Sequence, residues 1–494
     1  MITGKNQIGS TKSANGNVVF RSSNPKTNTP NPWQFIEATE REVNDAVELA
    51  DRAFLSFSKT SIKIRQELLN KIAEGLEDSK DVLIEVYCME SGLSISRAIT
   101  ELNRTVFQLR SYGAYGASED FNKITENVVN GVSFRKVNVP IGPIVVFGSS
   151  NFPFAYSTAG GDTASALMAG CPVIVKGHPM HPGTGELVAE VIAKAVSSCH
   201  LPEGVFSNLN AQSYKVGHQL VMHLKVKGVG FTGSISGGRA IFDLASRREE
   251  PIPVFAEMGS INPVVFSEKE LEENGSDWVK KIVKSMLDGA GQFCTNPGLI
   301  IALKGSALDK FLEEFVEVLS KQDPQCMLSA SVHDSFDKLR RTQMKRKGVI
   351  TLSAQRKRTE LNYSQATLLK VAGVQFLEQP ELQEEVFGPF SIVVECESTT
   401  ELIKVIESLN GQLTGTLNCK EEETEFATAV LNALSLKVGR LIFQGVPTGV
   451  AVSESMHHGG PYPACTDSRF TAVGGDSIKR WLRPLCLQNI PNYF

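Results

Sequence analysis

The sequence predicts an α/β fold built from two parallel-sheet domains, and three observations carry that expectation. The chain is 494 residues long, enough for two or three domains that each bury a core. From about residue 140, short β-rich apolar runs alternate with helical segments, the pattern of βαβ units feeding a sheet covered on both faces. A second alternation of the same kind follows from about 260 to 440.

Taken in order, the elements are these. Thr39-x-x-Glu42 reads as a capping box opening a helix through Val43, Ala46, Val47, Ala50 and Phe54, and a second helix runs from about Ile62 through Leu68, Ile72 and Leu76. Ile144 to Phe147, Val173 to Val175, Val226 to Phe231 and Ile252 to Phe255 are the candidate buried strands of the first sheet. Between them, Tyr156 to Ala169 and Gly183 to Ser198 read as helices rich in small residues. The second alternation holds helices at Val279 to Leu287, Leu308 to Leu319 and Glu401 to Leu409. The last 20 residues or so, with WLRPLCLQNIP, end in an apolar strand that must pair with something.

Composition narrows the function. With 41% hydrophobic and 21% charged residues and a net charge of −4, there is no basic footprint for nucleic acid or anionic lipid, so a small-molecule partner is expected. No basic n-region precedes an apolar h-region, and no stretch approaches ~18 uninterrupted apolar residues, which predicts a cytoplasmic chain with no membrane partner. The nine cysteines lack CxxC pairs and are odd in number, so they read as reduced thiols, most of them small buried hydrophobes. The eight histidines lack zinc-site spacing, so no metal is expected; GxSxG and GxxxxGK[ST] are both absent.

Several segments place reactive groups at strand ends or in turns. Cys294, in GAGQFCTNPG, follows an amphipathic helix among small, turn-forming residues where a thiol is accessible, although a lone cysteine is more often structural. Glu257 ends the apolar run PIPVFAEMG, and desolvation there raises a carboxyl toward the range of a general base; a solvated loop carboxylate is the alternative. Gly233 and Ser234, in FTGS between a strand and a helix, offer free N–H groups to an anion, or form an ordinary turn. Lys176 closes the strand PVIVK, and Asn151 in FGSSNFP carries an amide able to donate to an oxyanion.

In order and together, PIGPIVVFGSSNFP, PVIVKGHP, FTGS, FAEMGS, GQFCTN and EEVFGP resemble the aldehyde dehydrogenase superfamily over nearly the whole chain. AGGDTASALMAGCPVIVKGHPMHPGT, PIPVFAEMGSINPV, HHGGPYPACTDSR and RPLCLQNIP resemble the branch of NADP-dependent fatty aldehyde and α-ketoglutaric semialdehyde (2,5-dioxopentanoate) dehydrogenases. The resemblance implies that Cys294 is the nucleophile, Glu257 the base that activates water, and Asn151 with the Cys294 N–H the oxyanion donors. It implies that Lys176 and Ser234 with Gly233 hold the cofactor's adenosine and diphosphate, and Glu385 and Phe387 its nicotinamide end. Pro179 replaces an acidic residue of NAD-preferring relatives, which favours NADP while allowing NAD, with His178 or Lys215 helping Lys176 attract the 2′-phosphate.

Two departures stand out: Ser150 replaces an aromatic residue before Asn151, and Tyr214 stands where close relatives have arginine, which weakens exclusive NADP preference. By resemblance, residues 1–117 and 140–256 form a Rossmann-like cofactor domain and 257–440 the catalytic domain, with 441–474 returning to the cofactor domain and substrate funnel. Residues 118–139 and 475–494 form a bridging hairpin and C-terminal strand paired across subunits of a homodimer or dimer of dimers. The implied substrate is 2,5-dioxopentanoate, the alternatives being a fatty or general aldehyde, a thiol-resolved CoA reaction that Glu257 disfavours, and a non-catalytic binding protein. Phe152 and Phe293 would flank the substrate, and Arg110, Arg469 or His458 would meet its carboxylate.

Overall fold

The computed structural model describes residues 1–353 and 360–491, and it contains two seven-stranded sheets and one three-stranded sheet. In the first, Val254–Glu257, Gly228–Thr232, Ile144–Phe147, Val173–Lys176 and Phe206–Leu209 run parallel in that order. Two short antiparallel strands, Asn6–Ile8 and Thr11–Ser13, extend its far edge. In the second, Thr367–Ala372, Phe390–Cys396, Leu299–Leu303, Pro263–Phe266, Gln412–Asn418 and Val438–Phe443 are parallel, with Ile350–Thr351 antiparallel at one edge.

The apolar runs are strands because both faces are covered. Alternate side chains point to opposite faces, so Ile144, Val146, Val173 and Val175 enter one core while Val145, Ile174 and Val229 enter another. The second sheet repeats the pattern, with Val265 and Ile301 on one face and Val264 and Ile300 on the other. Each such side chain contributes about 2 kcal/mol on burial. The capping box is present: the Thr39 side chain accepts from Glu42 N, and the Glu42 carboxylate accepts from Thr39 N at 2.8 Å, opening the helix Glu40–Phe57. The helices at Ile62–Asp78, Pro182–Ser198, Ser306–Ser320 and Thr399–Ser408 form where the periodicity places them, and Val279 to Leu287 is the end of a longer helix, Glu268–Leu287.

Two expectations change. The helix read from Tyr156 begins at Gly161: residues 156–160 are held in turns, with Gly160 N donating to Ser157 O and Gly161 N to Ala155 O, and the Phe154 and Ala155 N–H groups before them donate to the buried Glu101 carboxylate at 2.9 and 3.0 Å. The C-terminal strand Leu482–Gln488, expected to pair across subunits, lies antiparallel to Val132–Pro140 of its own chain. Trp481, fully buried in the first core with its carbonyl accepting from Ile141 N, delivers the strand beside its neighbour. The outer strand of that sheet, Thr125–Val129, is exposed at all five residues. Among the described residues no helix is long and apolar enough to cross a membrane.

Candidate active site

Strand register gathers the first groups. Phe147 lies opposite Lys176 and Phe231, and Thr232 opposite Glu257, so residues 148–151, Lys176, the FTGS turn and Glu257 all follow the carboxyl ends of neighbouring strands, where open α/β sheets build their sites. Gly233 N donates to the Glu257 carbonyl at 3.1 Å, tying that turn to the strand beside it.

Cys294 arrives from the second sheet on a constrained loop. Gly289, Ala290 and Gly291 are consecutively left-handed, with φ of 57°, 57° and 67°, a conformation that strains Ala290. A Cβ at Gly291 would come within 2.4 Å of the Gly388 backbone, so no other residue fits there. The buried Asn262 side chain then donates to the carbonyls of Cys294 at 2.8 Å and Asn296 at 2.9 Å, fixing the loop from beneath. Asn151 spends one amide N–H on the Gln292 carbonyl at 2.9 Å, leaving the second beside the cysteine loop.

Cys294 Sγ, a Glu257 carboxylate oxygen and a His458 ring nitrogen lie within 4.8 Å of one another. His458 Nε2 is 3.0 Å from Glu257 Oε1 and 3.7 Å from Cys294 Sγ, and the ring is fully buried. Its position comes from a return segment: Met258 N donates to Ala464 O, Thr466 N to Ala256 O, and the Thr471 hydroxyl accepts from His458 N at 2.8 Å. Burial alone would raise the Glu257 pKa, but the facing His458, the Cys294 thiol and Arg480 outweigh it and leave the carboxyl below its ordinary value. This corrects the expectation of a raised value, which counted desolvation without a partner. Burial and the adjacent Glu257 push the Cys294 thiol well above its ordinary range, so it is protonated near neutral pH.

The groups expected at a dinucleotide lie nearby. Ser234 caps the helix Ile235–Ser246, its hydroxyl accepting from Gly237 N at 3.1 Å, which leaves a positive helix end facing the strand termini. Burial lowers Lys176 to about 8, against the pull of Glu37. His178 stacks on His181 with centroids 5.1 Å apart, and burial, with His181 and Lys176 beside it, depresses its pKa well below the ordinary value. A neutral ring there donates or accepts a hydrogen bond. Lys215 is exposed in the first turn of the neighbouring helix Tyr214–Met222. Burial pushes Glu385 to about 7, and its hydrogen bond from Ser260 N is long, at 3.4 Å. Such an undersupplied carboxylate suits a pair of donors such as a ribose diol, so this donor set fits a nicotinamide dinucleotide. Glu385 and Phe387 share a cavity lining with Ser260, Phe293 and Asn296.

Phe152 and Phe293 pack edge-on with centroids 5.2 Å apart beside Asn151 and Cys294. The cations proposed for a substrate carboxylate do not join them. Arg110 is exposed and bonded to Glu77, and Arg469 is exposed and bonded to Asp467, each at 2.6 Å through its shorter contact. Both charges are already neutralised at the surface. His458 enters the site, but as a partner of Glu257 and Cys294. Sequence reasoning passed over Asn262, visible only as the residue before a proline in GSINP, and Arg97, whose guanidinium lies 4.5 Å from the centroids of both Phe152 and Phe293. All nine cysteines are free; three are buried, fewer than expected.

The chain is 40% identical over 499 residues to alpha-ketoglutaric semialdehyde dehydrogenase 2 of Azospirillum brasilense, covering 99% of this chain and 95% of that protein. It is 38% identical over 494 residues to alpha-ketoglutaric semialdehyde dehydrogenase of Acinetobacter baylyi, with 98% and 94% covered. Among solved structures it resembles betaine aldehyde dehydrogenase of Staphylococcus aureus in complex with NAD+ (TM-score 0.86, 18% identity, 100% and 97% covered). It also resembles 1-pyrroline-5-carboxylate dehydrogenase from Thermus with bound NAD (TM-score 0.85, 21% identity, 98% and 92% covered). The family model described as "Aldehyde dehydrogenase family" matches residues 11–461, and the chain belongs to the aldehyde dehydrogenase family.

Proposed function

We propose that this aldehyde-oxidising enzyme converts 2,5-dioxopentanoate to 2-oxoglutarate with NADP as the favoured acceptor, through a thioester on Cys294. The observation that carries the chemistry is the meeting of Cys294, His458 and Glu257 beside the Asn151 amide. The substrate follows from the two relatives at 38% and 40% identity, both named for α-ketoglutaric semialdehyde.

A protonated thiol is a poor nucleophile, so its proton must leave as it attacks. His458 and Glu257, joined at 3.0 Å, form the acceptor for that proton. Sγ then adds to the aldehyde carbon, and the oxygen that gains charge faces the uncommitted Asn151 N–H and the Cys294 backbone N–H. A nicotinamide dinucleotide held by Lys176, the Ser234 turn and Glu385 would supply the hydride acceptor. Glu257, ionised at neutral pH, removes a proton from the water that resolves the Cys294 thioester to the acid. Residues 1–117 and 140–256 serve the cofactor in this reading, 257–440 the catalytic loop, and 441–474 the return that brings His458.

The exposed edge Thr125–Val129 with its partner strands supports a bridging role in a homodimer or dimer of dimers, and nine free thiols suit a reducing cytoplasm.

Cofactor affinity has a predictable pH dependence. Glu385 accepts ribose hydroxyls best as a carboxylate, so affinity rises as pH climbs through about 7; Lys176 attracts a phosphate only when protonated, so affinity falls as pH climbs through about 8. Fluorescence titration with NADP should therefore find a maximum between these limbs, and Glu385→Gln should remove the acid limb. The substrate reading is tested by steady-state kinetics with 2,5-dioxopentanoate, hexanal and longer aldehydes, each with NAD and NADP. The expected result is the highest kcat/KM for 2,5-dioxopentanoate with NADP; preference for the long aldehydes contradicts it.

A further inference from the structure

We infer that Arg104 and the Tyr156 hydroxyl, with Arg440 on the far side of the same loop, form the anchor for the substrate's distal carboxylate. The inference rests on the short acid aldehyde proposed above and assigns its specificity to particular side chains.

Three arginines surround the aromatic wall beside Cys294, and their partners separate them. Arg97 lies against Phe152 and Phe293 but faces Glu101 at 3.6 Å, so its charge is matched. Arg104, on the helix Ile95–Gly116, bonds only neutral acceptors: Gln108 Oε1 at 3.1 Å, Tyr156 Oη at 3.0 Å and the Val450 carbonyl at 3.3 Å. Arg440, in the amino half of Val438–Phe443, likewise donates to the carbonyls of Pro447 at 2.9 Å and Gly449 at 3.0 Å, and its Nε is buried without a partner. Among the described residues neither has a carboxylate. Two partly buried guanidinium groups without a counter-ion are costly to hold, and an anionic ligand relieves that cost.

Their location points to the substrate. Both grip residues 447–450, and within that segment the Thr448 hydroxyl meets the Thr295 carbonyl, next to Cys294, at 3.3 Å. Tyr156 packs edge-on against Phe152 at 5.1 Å, and Phe152 against Phe293, the other neighbour of Cys294. Burial pushes the Tyr156 phenol far up, so it keeps its proton while accepting from Arg104 and has that proton to donate. In extended 2,5-dioxopentanoate, the carboxylate carbon stands about 5 Å from the aldehyde carbon across four single bonds. Tyr156 and Arg440 both stand close enough to Cys294 to interact with it electrostatically, so a carboxylate bound there belongs to the same substrate, and guanidinium–carboxylate pairing is directional enough to set orientation.

The test compares 2,5-dioxopentanoate with pentanal, of equal chain length and no charge, in wild type, Arg104→Gln and Arg104→Lys. In Arg104→Gln the ratio of the two kcat/KM values should fall about 50-fold or more, carried by KM of the acid, with Arg104→Lys recovering part. Competitive inhibition by 2-oxoglutarate should weaken in parallel. Equal losses with both substrates would assign Arg104 only to loop support and overturn the anchor. A wild-type preference for the acid that survives in Arg104→Gln would overturn it while sparing the substrate reading. A wild type that prefers pentanal would overturn both.

Discussion

Replacing Cys294 by alanine abolishes aldehyde-dependent NADPH formation, lowering kcat by at least ~10⁴-fold, the scale seen when a covalent nucleophile is removed. The thiol is partly accessible and its loop is held through backbone carbonyls by Asn262, so the substitution leaves the scaffold intact. His458 and Glu257 also keep each other as partners, so no buried charge is orphaned. Absorbance of the reduced nicotinamide reads the activity, and an unchanged thermal transition separates lost chemistry from lost fold. The other eight cysteines, each changed singly, should leave turnover within a few-fold of wild type.

Glu257→Gln has the second largest effect and a different signature. If this carboxylate serves mainly to resolve the thioester, kcat falls about 10³-fold while the first turnover still releases close to one equivalent of NADPH. Stopped-flow absorbance distinguishes that burst from a uniformly slow enzyme; absence of the burst would move Glu257 to thiol activation alone. Stability changes as well, with a definite sign. The folded carboxyl is depressed below its unfolded value, so its contribution is present above the unfolded pKa, about 4.3, and disappears as pH falls through the lower folded value. The stability gap between wild type and Glu257→Gln therefore narrows in acid.

Much of this was legible in the sequence for physical reasons. Runs such as Ile144 to Phe147 are apolar at every position because both sheet faces are covered, and their ends announced Lys176 and Glu257. The Thr39 capping box is local and was readable residue by residue. What escaped depended on distant partners. His458 lies 201 residues from Glu257, yet it reverses the direction of that carboxyl's shift. The segment before the helix at Gly161 is tied to Glu101, some 50 residues earlier, through the N–H groups of Phe154 and Ala155. Arg104 stands in no recognisable motif, and only its neutral partners in three dimensions set it apart from the ion-paired Arg110 and Arg469.

In the proposed reaction an acyl group derived from the aldehyde forms on Cys294 and is released by water that Glu257 deprotonates. Peptide mass spectrometry of Glu257→Gln, quenched in acid after a single turnover with 2,5-dioxopentanoate and NADP, tests it most directly. The expected result is a 2-oxoglutaryl thioester on the peptide carrying Cys294, in amount equal to the NADPH released. NADPH released without any acyl group on Cys294, or with the group on another cysteine, would contradict it.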